Sequence, residues 1–435
     1  MSTKKRTKIL LCIAIVMLVV SMVGQYCVQT NWGYNSVKTY YVTLSELGDM
    51  IRANNEATGK NIEITFTEDS VSKFSFMTLI PDNASAENPV PAIVLAHGGN
   101  MAKELFQNAY VELARRGFVV ISIDMAGHGW SDNAISDLTG GSYGMTAAVE
   151  YAMSLPCVDE TQIGVSGQSM GNLASYSAVT QMNTEGSTQR IRSWIEGTGT
   201  MYAAFMTSES TEGLLWLINV AKYDEFDTMY FSSATIYDYE GAKNVVRLVY
   251  PELGEESIAG GRWYGTDGLL ESPVEGTALD ADSAICFTQM PIDHQAYTFS
   301  RSGTTLTIKG FYDAFGTPSG ARYISSENHV WWLMVVFSVI GIFGFAALLF
   351  PTASLLLDTK VFAGVRRKKD INANLPSFRS PVEYVPYILT TIASLVVSYF
   401  TYIYTNTYSS VIMDSSIYVA NTVHNGVALW TLYCV

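Results

Sequence analysis

Gly167-Gln168-Ser169-Met170-Gly171 closes a short apolar run, Ile163-Gly164-Val165-Ser166, and opens a small-residue stretch over residues 172–178 with helical potential. A serine on a sharp strand-to-helix turn requires glycine two residues before it and two after. Side chains at those places would collide with the neighbouring strand and helix. The turn pushes the Ser169 hydroxyl into the open and aims the N-terminus of the following helix at the same space. Gly-x-Ser-x-Gly alone is common in a chain with 34 glycines. Here strand, motif and helix coincide, and the pattern reads as a nucleophile elbow. Ser166 fits less well, because position 168 is Gln rather than Gly.

Around the elbow lie further short, continuously apolar runs at 92–96, 118–123, 162–166, 193–195, 217–220 and 284–287. Stretches of helical pattern at 102–116, 145–153 and 170–182 separate several of them. Strands buried on both faces and alternating with helices predict a mainly parallel, doubly covered sheet. Upstream, residues 31–61 read as a connector with helical potential around 44–52. The alternating segments 62–66 and 74–80, separated by a charged turn, read as a hairpin.

From about residue 60 to 320 the chain resembles the α/β-hydrolase family, with landmarks in the chain order serine, acid, histidine. His97-Gly98-Gly99-Asn100 directly follows the run 92–96. In the family a His-Gly turn at this place lends a backbone N–H to the oxyanion hole, and the residue after the nucleophile lends the second. The resemblance therefore assigns Gly99 and Met170 as donors. Asp124-Met125-Ala126-Gly127-His128-Gly129-Trp130-Ser131 resembles the glycine-rich turn after the next strand and reads as structural, His128 included. Two positions depart from the family pattern: Gln168 stands where His is common, and Asn172 replaces a frequent second glycine.

After the run 214–220 comes Ala221-Lys222-Tyr223-Asp224-Glu225-Phe226, where the family places its carboxylate. Asp224 is the leading candidate, with Glu225 and Asp227 as rivals. After Ile285-Cys286-Phe287 comes Asp293-His294-Gln295, ahead of a final helix over 300–315, and His294 occupies the family's base position. His329 is its rival, although it abuts an apolar span. The resemblance implies an α/β-hydrolase fold with a mainly parallel eight-stranded sheet flanked by helices. It also implies a serine hydrolase of the esterase or dienelactone-hydrolase kind, cleaving an ester or related acyl bond through Ser169, His294 and Asp224. That chemistry requires neither metal nor organic cofactor. Residues 230–282, with Tyr237, Tyr239, Trp263 and Tyr264, form an insertion between acid and base that stands to shape the pocket mouth.

The chain is 48% hydrophobic over 435 residues, and the excess lies at its ends. Residues 9–28, 331–349 and 385–404 carry no charge and are each long enough to cross a bilayer. A fourth run, 417–435, is weaker, holding Asn421, His424 and Asn425, and stops abruptly, as a fragment would. Lys4, Lys5, Arg6 and Lys8 precede the first span; Lys360, Arg366, Arg367, Lys368, Lys369 and Arg379 lie between the second and third. Under the positive-inside rule both clusters are cytoplasmic. The reading is a multi-pass protein of the cell membrane. Residues 1–30 form a basic tip and anchor, 31–326 an extracytoplasmic catalytic domain, and 327–435 a membrane region with a cytoplasmic loop at 358–380. No Ala-x-Ala site follows the first span, so it reads as an uncleaved anchor.

Residues 29–330 carry 36 of the 40 acidic and 16 of the 26 basic residues, which excludes a phosphate backbone as partner. The partners expected are the bilayer and a small-molecule or lipid-like acyl substrate. The five cysteines show no metal pattern; Cys157 and Cys286 read as either a disulfide or buried thiols. Two other functions fit the same sequence. One is a catalytically silent hydrolase-like binding module, and the other is an accessory domain of a membrane transport protein.

Overall fold

Residues 90–96 run Val-Pro-Ala-Ile-Val-Leu-Ala without a polar side chain, and all seven are buried, as a strand covered on both faces requires. The computed structural model describes residues 3–198, 206, 208–224, 239–253, 258–365 and 384–412. The last apolar run with His424, the rival acids Glu225 and Asp227, Tyr237 in the insertion and the basic residues 366–369 and Arg379 lie outside them.

Ten strands form one sheet in the order β1-β2-β4-β3-β5-β6-β7-β10-β8-β9. They are β1 Asn35–Thr43, β2 Lys73–Pro81, β3 Val90–Ala96, β4 Val119–Ile123, β5 Val158–Gln168, β6 Ser193–Gly197, β7 Leu215–Ala221, β8 Trp263–Gly265, β9 Gly268–Leu269 and β10 Ala284–Met290. From β4 across to β10 every neighbouring pair is parallel. Seven strands, β2 to β7 and β10, are runs expected from the sequence, and β1 brings the count to the eight expected without being one of them. The two short extra strands are an antiparallel hairpin from the insertion, added at the β10 edge.

The hairpin expected between 62–66 and 74–80 does not form. Instead β1, inside the presumed connector, pairs antiparallel with β2 along its whole length, from Asn35↔Pro81 to Thr43↔Lys73. Nine residues of pairing, with Tyr40 stacked on Phe76 at 4.9 Å, outweigh anything the five residues 62–66 offer. Those five lie as coil, with Ile62 and Phe66 still buried in the core. Side chains satisfy their backbone in place of a ladder. Asn55 Nδ2 donates to the Ile62 carbonyl at 2.8 Å, and the Thr65 N–H donates to the Glu150 carboxylate at 3.1 Å. The helix Leu44–Thr58 starts at a Thr43–Glu46 capping box and stops at Gly59 in the left-handed conformation, φ 75°.

The expected helices are present at Gln107–Arg115, Met145–Ser154, Met170–Met182 and Arg301–Phe315. Under the sheet, Trp194 and Trp216 stack at 5.0 Å and 3°. Trp216 Nε1 donates to Glu196 Oε1, and burial pushes the pKa of this acid well above its ordinary value. Cys157 and Cys286 are both free thiols, and both are buried.

The chain divides into two compact units. One, Gln29–Trp331, contains the sheet. The other contains three helices long and apolar enough to cross a membrane, over Lys5–Gln29, Trp332–Leu357 and Val385–Thr405. Within that unit the first two pack antiparallel. Gly24 faces Phe337, Gly341 faces Ser21, and Gly344 approaches Ala14, Met17 and Leu18. Small residues let the two backbones come close, which is how helices associate without a hydrophobic driving force.

Candidate active site

Parallel strands place all their carboxyl ends on one edge of the sheet, where ligands bind in open α/β folds. The elbow follows β5, the His97-Gly98-Gly99 turn follows β3, and Thr198 follows β6. Asp224 lies just after β7 and His294 just after β10. The four segments nominated by the sequence thus meet at one edge, with Thr198 among them, because their strands are neighbours in the sheet.

Ser169 has φ 55° and ψ −115°, a conformation that costs a non-glycine residue roughly 1–3 kcal/mol. Its N–H donates to the carbonyls of Gly197 and Thr198, at 3.2 and 3.1 Å, which holds the turn in place. Asn100 and Thr198, at φ 60° and 50°, border the same edge, so backbone strain gathers here. The flanking glycines are demanded by close approach. A Cβ on Gly167 would run into the Gly171 carbonyl, and one on Gly171 into the carbonyls of Ala96 and His97. Gly171→Ala is therefore expected to destabilise the protein by roughly 1–3 kcal/mol. Thermal unfolding of the full-length protein, followed by tryptophan fluorescence, checks this, and an unchanged midpoint contradicts it.

His294 Nδ1 lies 2.7 Å from Asp224 Oδ2, and both side chains are buried. The loops that carry them are bonded to each other: Lys222 N–H donates to the Met290 carbonyl at 2.8 Å, and Tyr223 N–H to that of Ile292 at 3.0 Å. The other described histidines are engaged differently. His97 accepts from the Met125 N–H at Nε2 (3.1 Å), which leaves Nδ1 protonated to donate to the Gly98 carbonyl at 2.7 Å. Burial lowers its pKa to about 4, so it is a neutral brace for the turn. His128 bonds the Ala126 carbonyl through Nδ1, and His329 Nε2 meets Thr305 Oγ1 at 3.3 Å on the final helix. His294 pairs with a carboxylate, that of Asp224, at hydrogen-bond distance.

Gly99 and Met170, nominated as oxyanion donors, are neighbours: a Cβ on Gly99 would sit 3.9 Å from Met170 Sδ. A buried ion pair underpins their turn. Asp124 Oδ2 accepts from Lys103 Nζ at 2.6 Å and from the Trp130 N–H at 3.1 Å, while Oδ1 accepts from the Lys103 N–H at 2.9 Å. Lys103 had no motif to mark it; its partner is fixed only when β3 and β4 lie side by side. Among the described residues, no group of three His, Cys, Asp or Glu side chains is placed to hold a metal ion.

The two departures at the elbow also find their use. Asn172 Nδ2 donates to the carbonyls of Gly197 and Thr198, at 3.2 and 2.8 Å. Gln168 Nε2 donates to Thr198 Oγ1 at 3.2 Å and to the His294 carbonyl at 3.1 Å, so the residue beside the serine touches the backbone of the histidine.

Residues 91–176 match the family model described as the alpha/beta hydrolase fold, a stretch that includes the turn after β3 and the elbow. Similar solved structures include esterase 2 of Thermogutta terrifontis, in a form phosphorylated by paraoxon. It is 11% identical, with 57% of this chain and 90% of that chain covered and a TM-score of 0.36. An esterase of Pyrobaculum calidifontis is 11% identical, with 62% and 91% covered and a TM-score of 0.35. A putative acetyl xylan esterase of Bacteroides fragilis is 16% identical; 34% of this chain matches about half (51%) of that one, with a TM-score of 0.23. No curated protein matches the sequence.

Proposed function

We propose that this α/β-hydrolase-fold protein is a serine hydrolase that cleaves an ester or related acyl bond through a covalent acyl-enzyme. The observation that carries the reading is the 2.7 Å bond between Asp224 and His294, whose carbonyl is bonded to the residue preceding Ser169. A serine hydroxyl is a weak nucleophile near neutral pH and needs an adjacent base. His294 Nε2 takes the Ser169 proton as the oxygen attacks the acyl carbon. The same proton then passes to the leaving alcohol. Asp224 holds Nδ1 protonated and stabilises the imidazolium that forms. The N–H groups of Gly99 and Met170 receive the tetrahedral oxyanion, each worth roughly 3–4 kcal/mol in the transition state. Water, deprotonated by His294, repeats the sequence on the acyl-enzyme and releases the acid.

The substrate class we infer is a small-molecule or lipid-like acyl compound. Tyr223, next to Asp224 in the chain, and Phe299, five residues after His294, are exposed apolar side chains on the two loops. We also assign the protein to the cell membrane, with its N-terminus cytoplasmic and the catalytic unit outside. Support comes from the two basic clusters and from the antiparallel packing of the first two long apolar helices. The test is labelling of the full-length protein with a fluorophosphonate probe, followed by mass spectrometry of the modified peptide. Phosphonylation of Ser169 is expected. An unlabelled protein overturns the reading and leaves a silent binding module, and a label on another serine overturns Ser169 as the nucleophile.

A further inference from the structure

Gln168 presents a side chain whose chemistry packing alone does not explain. It is fully buried, yet among the described residues its Oε1 has no protein donor, and it lies against Gly98, where a Cβ would collide with it. Leaving a buried acceptor unpaired is costly, and methionine would fill the same space without that cost. The amide must therefore be retained for its N–H groups. Their direction is not in doubt, because the His294 carbonyl can only accept, so the NH2 end faces it. That end reaches two partners on two other strand ends, Thr198 Oγ1 after β6 and the His294 carbonyl after β10. The Thr198 hydroxyl also leans to the His294 carbonyl, at 3.5 Å.

We infer that Gln168 is a positioning residue that registers the histidine-bearing loop against the nucleophile. The inference rests on the proposed Ser169–His294–Asp224 chemistry and adds to it a brace at the end of His294 opposite Asp224. Asp224 holds the ring through Nδ1 and Gln168 holds the backbone through the carbonyl, so the torsions between them have little freedom left. Nε2 is then kept at one place relative to Ser169, which is attached to Gln168 by a single peptide bond. The oxyanion turn is gauged by the same side chain, because Gly98 rests on Oε1. Substrate binding does not pass through these bonds.

The experiment is steady-state hydrolysis of p-nitrophenyl acetate by full-length Gln168→Met and Thr198→Val in detergent, with fluorophosphonate labelling in parallel. Gln168→Met is expected to lower kcat by roughly 10–100-fold, the scale of a displacement of about 1 Å in a reacting group, with KM near wild type. Thr198→Val, which removes the hydroxyl without adding volume, is expected to lower kcat less and in the same sense. Labelling of Ser169 slows in step with kcat. Wild-type kcat in both variants, or a change confined to KM, overturns the inference while the proposed hydrolase stands. If Gln168→Met does not fold, judged by its circular dichroism, Thr198→Val decides alone. A wild-type protein with neither turnover nor labelling overturns both.

Discussion

Ser169→Ala is expected to lower kcat/KM for p-nitrophenyl acetate by roughly 10⁴–10⁶-fold, the loss that follows when a nucleophile acting as one unit with its base is removed. The backbone at residue 169 is held by the bonds of its N–H to the carbonyls of Gly197 and Thr198, not by the hydroxyl. The fold therefore survives the substitution, and an unchanged thermal midpoint shows it. Rates measured on the full-length variant beside wild type check the prediction. Full activity in Ser169→Ala removes the acyl-enzyme mechanism outright. A residual rate above the uncatalysed one is consistent with the mechanism, because the N–H groups of Gly99 and Met170 still meet the oxyanion when water attacks.

Asp224→Asn is the second large effect, with kcat expected to fall by roughly 10⁴-fold while the geometry stays nearly intact. The carboxylate accepts from His294 Nδ1 at 2.7 Å, which leaves Nε2 deprotonated and able to take the Ser169 proton. An asparagine amide presents an N–H to Nδ1 instead, and the ring answers with the wrong tautomer. Glu225→Gln and Asp227→Asn, made at the two rival acids, are expected to keep wild-type kcat. The measurement is the same assay on all three variants. If Asp224→Asn retains activity and one of the others loses it, the acid has been misassigned although the family of mechanisms stands.

How much of this was legible follows from the range of each interaction. The runs at β3, at β4 and over 163–165 of β5 are readable because a strand covered on both faces favours apolar and small residues. Asn35–Thr43 was hidden because an edge strand is half exposed and mixes Lys38 with Tyr40 and Val42. Only its partner β2 shows which alternation faces inward. Residues 62–66 misled for the opposite reason. Ile62 and Phe66 are buried as an inner strand's side chains would be, but coil bonded to Asn55 and Glu150 buries them equally well.

Sequence alone determined what depends on neighbours a few residues apart. The two glycines that let a serine stand on a tight turn are of this kind, as are the unbroken apolar strands and the uncharged segments of bilayer length. Tertiary structure alone decided what depends on residues far apart in the chain. Asp224 meets His294 across 70 residues, and Gln168 reaches the His294 carbonyl across 126. Such pairs leave no periodicity or spacing to read, since sheet order makes them neighbours. A hydrogen bond of 3 Å between them exists only once β5, β6, β7 and β10 lie side by side.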